Sequence, residues 1–397
     1  MQGATVAPGE RRLTVDRARE LMDELVGVAG ELVACESPSD DLAAVAASAT
    51  SVAAVGERLL GAAAELRIVD GCSHLVWRLG TARPRILILA HHDTVWPLGS
   101  LRELPFAVDE TLRGPGSLDM KTGLAMAFLA VRCLVDRTGI RIVVTGDEEI
   151  GSPTSRDLIE DEARGCDAVL VLEAGADSGA VKTARKGRAA YELTVAGRAA
   201  HAGLEPESGA NALVALAELV LDLVALADPG AGTTVTPTRA DAGTTGNTVP
   251  EAARLVVDVR AANHAELVRV DAAVRALYPR VEGTSVSVSG GIDRPPLQES
   301  SSAALFERAR GIADQLGIGP LRGEAVGGGS DGNLTAALGL PTLDGLGAVG
   351  GGAHARHEHV DLAALPGRLA LLTSLLAELT GSSVASLPAS LADGTLR

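Results

Sequence analysis

Apolar residues recur at helical spacing between residues 15 and 34, at Leu21, Met22, Leu25, Val28, Leu32 and Val33. This period predicts an amphipathic helix. Ser37-Pro38-Ser39-Asp40 breaks it, and Asp40 or Asp41 can cap a second helix that ends near Glu65. Residues 67–69 and 75–79 read as short strands. Residues 85–90, 141–145 and 168–172 are brief, nearly unbroken apolar runs, as expected of strands buried on both faces. Helical patterns over 121–135 and 155–163 separate them. Strands alternating with helices predict an α/β domain, a mostly parallel sheet flanked by helices.

Beyond about Lys182 the texture changes. Residues 189–196 alternate like a half-exposed strand, and 211–227 form a strongly apolar helix. Strands over 233–238 and 253–260, a helix over 265–278 and a strand over 285–289 follow. This β-α-β-β-α-β order predicts a small ferredoxin-like antiparallel sheet backed by two helices. From about Pro296 the α/β texture returns, with helices over 301–316, 333–338 and 362–379 and a strand over 341–343. The expected organisation is a split domain, 1–182 with 296–397, interrupted by an insert over 183–295. The tail beyond Gly381 reads as an extension.

Composition narrows the function. The 397 residues carry 51 Asp+Glu against 35 Lys+Arg, a formal net charge of −16. Such an excess of acid argues against nucleic acid or an anionic membrane surface as partner. Aromatic residues make up only 2%, too few to build stacking platforms for single strands. Cys35, Cys72, Cys133 and Cys166 form no CxxC motif, so reduced core thiols are expected. Residues 1–20 hold no signal-peptide pattern, and no charge-free apolar run of about 18 residues occurs. With Met1 as the native start, a cytoplasmic protein is the expectation.

The chemistry lies at strand ends, where doubly wound sheets place ligands. His91-His92-Asp93 follows the run ending at Ala90, Asp147-Glu148-Glu149 follows the one ending at Thr145, and Glu173 follows Leu172. Asp119 stands after Gly114-Pro115-Gly116, and His354 after a glycine run. His91, Asp119, Glu149, Glu173 and His354 make a mixed imidazole–carboxylate set, which suits zinc, with cobalt or manganese as alternates. They suffice for two metals if one carboxylate bridges. In the adjacent pair Glu148-Glu149, one carboxylate can bind metal while its neighbour serves as general base. Asp93, two residues from His91, can orient the imidazole.

The stretches Ala90-His91-His92-Asp93-Thr94-Val95, Gly114-Pro115-Gly116-Ser117-Leu118-Asp119-Met120-Lys121, Asp147-Glu148-Glu149-Ile150-Gly151, Glu173, Ala200-His201-Ala202-Gly203, Asn247-Thr248-Val249-Pro250 and Ala353-His354 follow one another in a recognisable order. The chain resembles the dinuclear-zinc family of glutamate carboxypeptidases, aminoacylase-1, acetylornithine deacetylase and succinyl-diaminopimelate desuccinylase. Asp93-Thr94-Val95-Trp96-Pro97 and Arg185-Lys186-Gly187 resemble the glutamate carboxypeptidase branch. The resemblance implies a zinc-exopeptidase fold and an insert acting as lid and dimerisation domain. It implies two zinc ions per subunit, with Asp119 bridging, His91 and Glu173 completing one site, and Glu149 and His354 the other. It makes Glu148 the general base and His201 the donor to the tetrahedral oxyanion, commonly from the other subunit of a homodimer. It has Asn247 and Arg260 hold the free carboxylate of a small or dipeptide-like substrate. The implied reaction is hydrolysis of an amide bond beside that carboxylate, by a carboxypeptidase or by an N-acyl-amino-acid deacylase. A binding protein that has lost catalysis would lack a ligand, and all five are present.

Other motifs have competing readings. Gly327-Gly328-Gly329-Ser330-Asp331-Gly332 matches G-x-G-x-x-G, but a dinucleotide site needs a strong strand before it and an acid about 20 residues later. The favoured reading is an amide cradle, Gly328 and Gly329 at a helix start facing the substrate carboxylate. His357 and His359 could form a separate metal site with His354, although Glu358 and its neighbours fit a supporting loop better. His92 is read as a non-ligand, and His74 and His264 as structural or solvated.

Overall fold

A computed structural model of the chain describes residues 11–385, so most of the extension expected beyond Gly381 lies outside the described residues. Just after Gly381 the chain is anchored: Val384 is buried, and the Ala385 N–H donates to the Cys133 carbonyl at 2.7 Å. Any extension therefore starts later than expected. The chain forms two compact units. The first comprises the residues up to Thr183, Glu299–Ala325 and those from Ser330 onward; the second is Ala184–Gln298 with Val326–Gly329.

The first unit holds a six-stranded sheet in the order Glu65–Val69, Cys72–Leu79, Ile140–Thr145, Ile86–His91, Ala168–Val171, Thr342–Leu343. The last four run parallel, and the first two pair antiparallel along one side. Alternation explains the unbroken apolar run: Ile86, Ile88 and Ala90 enter one core, Leu87 and Leu89 another. The first core is closed by helices that include Met22–Val33, Leu42–Leu60, Thr122–Arg132 and Leu365–Thr380. The second is closed by Ile159 of Arg156–Ala163 and Leu334 of Gly332–Ala337. Each fully buried aliphatic side chain contributes about 1.5–3 kcal/mol, so a polar residue in these strands has no tolerant face.

Caps and close contacts set the boundaries. Asp41 accepts from the N–H groups of Ala43 and Ala44 at 3.0 Å, and Gly61 (φ 64°) ends that helix, earlier than expected. At Gly56 a Cβ would lie 2.3 Å from Cζ2 of Trp77, so only glycine lets helix and strand approach. The helix expected over 15–34 is two, Val15–Arg19 and Met22–Val33; the Leu21 N–H turns back to the Ala18 carbonyl and tightens the chain between them. Leu42–Leu60 and Leu362–Thr380 are long and apolar enough to cross a membrane. Here Val52, Val55, Leu369 and Leu372 of these segments are spent on the core.

Register aligns the strand ends. Ile86 stands opposite both Ile140 and Ala168, and His91 opposite Thr145. The residues following these strands therefore emerge along one edge. A second small sheet, Gly350–Gly351, His359–Asp361, Thr111–Arg113 and Ala107–Val108 in that order, was not foreseen. Strands of two or three residues carry no readable period.

The second unit has four antiparallel strands in the order Thr234–Ala242, Ala252–Ala261, Gly187–Ala196, Ser285–Arg294. Ala189, Tyr191, Leu193 and Val195 pack against Leu216 and Leu219 of Ala212–Val224 and Leu267 and Val270 of His264–Arg275. The order of elements is β-α-β-β-α-β.

Candidate metal centre

His91 ends its strand with the imidazole buried. Its Nδ1 lies 3.0 Å from the Asp93 carbonyl and 3.4 Å from Asp93 Oδ1, so backbone and side chain of Asp93 orient it together. The Asp93 carboxylate also accepts from Ser39 Oγ at 2.7 Å and from the N–H groups of Glu148 and Glu149 at 3.2 and 3.1 Å. One buried carboxylate thus sets both the imidazole and the acidic pair, a second task invisible in the spacing of the residues.

Asp119 stands in an irregular turn before Thr122–Arg132, with φ −114° and ψ 93°, rather than in a regular helix start. Its Oδ1 lies 3.3 Å from His91 Nε2, which is 3.5 Å from Glu173 Oε1. Its Oδ2 lies 3.3 Å from His354 Nε2, which is 3.1 Å from Glu149 Oε2. One carboxylate therefore faces two separate imidazole–carboxylate pairs. Donor atoms of His91, Asp119 and Glu149 lie within 4.8 Å of one another, as do those of His91, Glu148 and Glu173. Among the described residues, no such group contains His357 or His359.

Electrostatics fit a cation site. Burial opposes a charged His91, but Asp119, Asp93 and Glu173 outweigh it and raise its pKa. Asp119 and Glu149 push His354 up to about 10. Burial opposes ionisation of Asp119, yet His354 and His91 hold its carboxyl well below the usual range. Burial, with the Asp119 charge, raises Glu149. Glu149 Oε1 is buried without a hydrogen-bond partner, a costly state for a carboxylate oxygen. Metal-free, the carboxylates attract protons onto the imidazoles; divalent cations can replace those protons and supply the absent partner of Oε1.

Supporting residues surround this set. Glu358 accepts from the N–H groups of Gly116, Leu118 and Asp119 and from the Trp96 indole. Asp331 accepts from Thr145 and Ser152, on either side of the acidic pair. Asp147 accepts from the backbone and hydroxyls of Thr154 and Ser155. His74 lies between Thr154 Oγ1 and the Gly146 N–H, a structural role. Cys72, His74 and Asp147 could be mistaken for a metal group, but their hydrogen bonds already use the donor atoms.

His92 points away from the centre, with Nδ1 3.1 Å from Ser48 Oγ and Nε2 3.0 Å from the Ser73 carbonyl. Burial pulls its pKa from 6.5 down to about 4. The unfolded chain therefore takes up a proton below pH 6.5 that folded His92 refuses until about pH 4. Its contribution is intact above pH 6.5 and is lost as pH falls to 4, by up to about 3 kcal/mol at ~1.36 kcal/mol per unit. Urea unfolding at pH 7 and pH 4.5 should show a shallower pH dependence for His92→Gln than for wild type; equal slopes would exclude this source of acid sensitivity.

The second unit carries the other expected residues. His201 and Asn247 are brought together: His201 bridges to Thr248, and the Ala202 N–H donates to the Asn247 carbonyl. Both side chains are exposed. His201 Nδ1 accepts from the N–H groups of Gly203 and Leu204, each at 3.1 Å. These bonds leave Nε2 as the protonated nitrogen, a donor facing outward. Arg260 lies on Ala252–Ala261, in register with Arg188, which is in register with Arg294. Asp258 accepts from Arg260 Nε at 2.8 Å and Arg188 Nε at 3.0 Å.

Within the glycine run, side chains already use two amides at the helix start. Gly328 and Gly329 turn their carbonyls to Arg185 Nη1, at 3.1 and 3.2 Å. At the start of Gly332–Ala337, Ser330 Oγ takes the Gly332 N–H, and Asn333 Oδ1 takes the Ser330 N–H. The helix start is closed by its own side chains, and its six residues make a weak dipole. The dinucleotide reading fails, because the preceding strand Gly323–Val326 pairs outside the central sheet.

Residues 87–378 match the model of peptidase family M20/M25/M40. Carboxypeptidase G2 of Pseudomonas sp. (strain RS-16) is 33% identical over 316 residues, 76% of this chain and 75% of that protein. Succinyl-diaminopimelate desuccinylase 2 of Shewanella loihica is 28% identical over 309 residues, 71% of this chain and 81% of that protein. An M20 family metallo-carboxypeptidase from Sulfolobus solfataricus shares the fold, with a TM-score of 0.70 at 18% identity over 90% of this chain and 99% of its own. With a match spanning most of its length, an α/β unit of this topology and a carboxylate set built for cations, the chain is a metallo-hydrolase belonging to peptidase family M20/M25/M40.

Proposed function

We propose that the protein is a glutamate-carboxypeptidase-like exopeptidase that cleaves an amide bond beside a free carboxylate, with two zinc ions per subunit. Cobalt or manganese suits the same donors. The observation that carries this reading is Asp119, whose two oxygens face separate His–Glu pairs. His91 and Glu173 would hold one ion, Glu149 and His354 the other, and Asp119 both. Bound zinc supplies Lewis acidity at the scissile carbonyl and acidifies water. Glu148, with its N–H fixed by Asp93, takes the proton of the attacking water and returns it to the leaving nitrogen. His201 donates its Nε2–H to the oxyanion, and Asn247 and Arg260 hold the substrate carboxylate.

The second reading, an N-acyl-amino-acid deacylase, draws on the similarity to a desuccinylase. We propose a homodimer in both cases. The outer side of Ala212–Val224 exposes Leu213, Val214, Leu221 and Val224, an apolar stripe suited to a second copy. The test is metal analysis followed by assays on dipeptides and N-acyl amino acids, each with a free or an amidated carboxylate. Preferred cleavage of free-carboxylate dipeptides supports the carboxypeptidase. Turnover of acyl amino acids alone assigns the deacylase, and indifference to amidation overturns the carboxylate requirement.

A further inference from the structure

Glu358 lies four residues beyond His354 and is 4% exposed. One oxygen accepts from the Gly116 N–H at 2.9 Å and the Trp96 Nε1–H at 2.8 Å. The other accepts from the Leu118 N–H at 2.8 Å and the Asp119 N–H at 3.1 Å. The acceptor capacity of a carboxylate, about four lone pairs, is thus filled. Three of the donors are backbone groups of the turn that presents Asp119. That turn departs from helical geometry at Asp119 itself, so its shape is not enforced by a regular hydrogen-bond ladder. Glu358 supplies the missing restraint from the loop that also carries His354.

We infer that Glu358 is a positioning residue of the metal centre: it locks the Asp119 turn to the His354 loop, so that Asp119 keeps its two oxygens aimed at separate ligand pairs. Trp96 is its side-chain partner in that lock. With four donors on its two oxygens, Glu358 has no acceptor position left for an ion or a substrate. The inference rests on the reading of Asp119 as the shared ligand, and supporting contacts of this kind typically change metal affinity 10–100-fold when removed.

The experiment uses the full chain, stripped with a chelator and reloaded with zinc against a chromophoric competitor. It reads stoichiometry, both dissociation constants and the melting temperature of the metal-free protein. Glu358→Gln places an amide NH2 against N–H donors and should weaken zinc binding about 100-fold. Trp96→Phe removes one donor, keeps the ring, and should cost about tenfold. A carboxylate that only stabilises the fold would lower the melting temperature and leave both constants unchanged. Wild-type binding of two zinc ions with unchanged constants in Glu358→Gln overturns this inference alone. If that variant does not fold, unchanged constants in Trp96→Phe overturn it. Wild-type protein that fails to take two ions overturns the shared-ligand reading beneath it.

Discussion

Replacing Glu148 by glutamine is expected to lower kcat by about 10²–10⁴ while metal content stays at the wild-type level. The geometry separates the two members of the acidic pair. Asp93 Oδ1 takes the N–H of Glu148 and Oδ2 that of Glu149, so a single buried carboxylate holds two consecutive residues in a tight turn. Glu149 turns to His354 at 3.1 Å, and Glu148 has its carboxylate in the group with His91 and Glu173. Glutamine preserves size and the Asp93 contact but cannot carry the proton from water to the leaving nitrogen. Single-turnover rates with metal analysis check this. A variant within tenfold of wild type would remove Glu148 from the proton path.

Asp119→Asn is expected to cost metal as well as rate. Both carboxylate oxygens are used, one on the side of His91 and one on the side of His354. An amide offers one oxygen and turns an NH2 toward the other side. Zinc stoichiometry should fall below two, and kcat/KM should drop by at least about 10³, the equivalent of several kcal/mol of lost electrostatic stabilisation. Glu173→Gln, altered on one side only, should leave the Glu149–His354 side able to bind. Equal metal loss in the two variants would contradict the asymmetry between a shared and an unshared ligand.

The central strands were legible because burial on both faces leaves an unbroken apolar run, as in Ile86–His91. The residues after them were legible because a parallel register delivers strand ends to one edge. Glu358 was harder to assign. Its partners lie some 240 residues upstream, and nothing in a H-x-x-H-x-H pattern reveals that the acid inside it gathers backbone amides. The same distance hides the short strands of the second sheet, whose pairing joins 107–113 to 350–361. The glycine run is ambiguous for a local reason. Its motif is common to phosphate cradles and ordinary turns, and the spacing does not reveal that Ser330 and Asn333 take amides at the helix start.

The order in which the chain is made has a consequence for the centre. His91, Asp119, Glu149 and Glu173 come from the first half of the chain, whereas His354, Glu358 and the sheet-edge strand Thr342–Leu343 come near its end. At 5–20 residues per second, roughly 10–40 s of synthesis separate Glu173 from His354. Until then the ribosome-bound chain has at most one side of the ligand set, lacks the clamp on Asp119, and lacks Leu365–Thr380 over its core. Loading of the complete centre therefore waits until His354 has been made, and a chain truncated before residue 342 cannot form both sides of it.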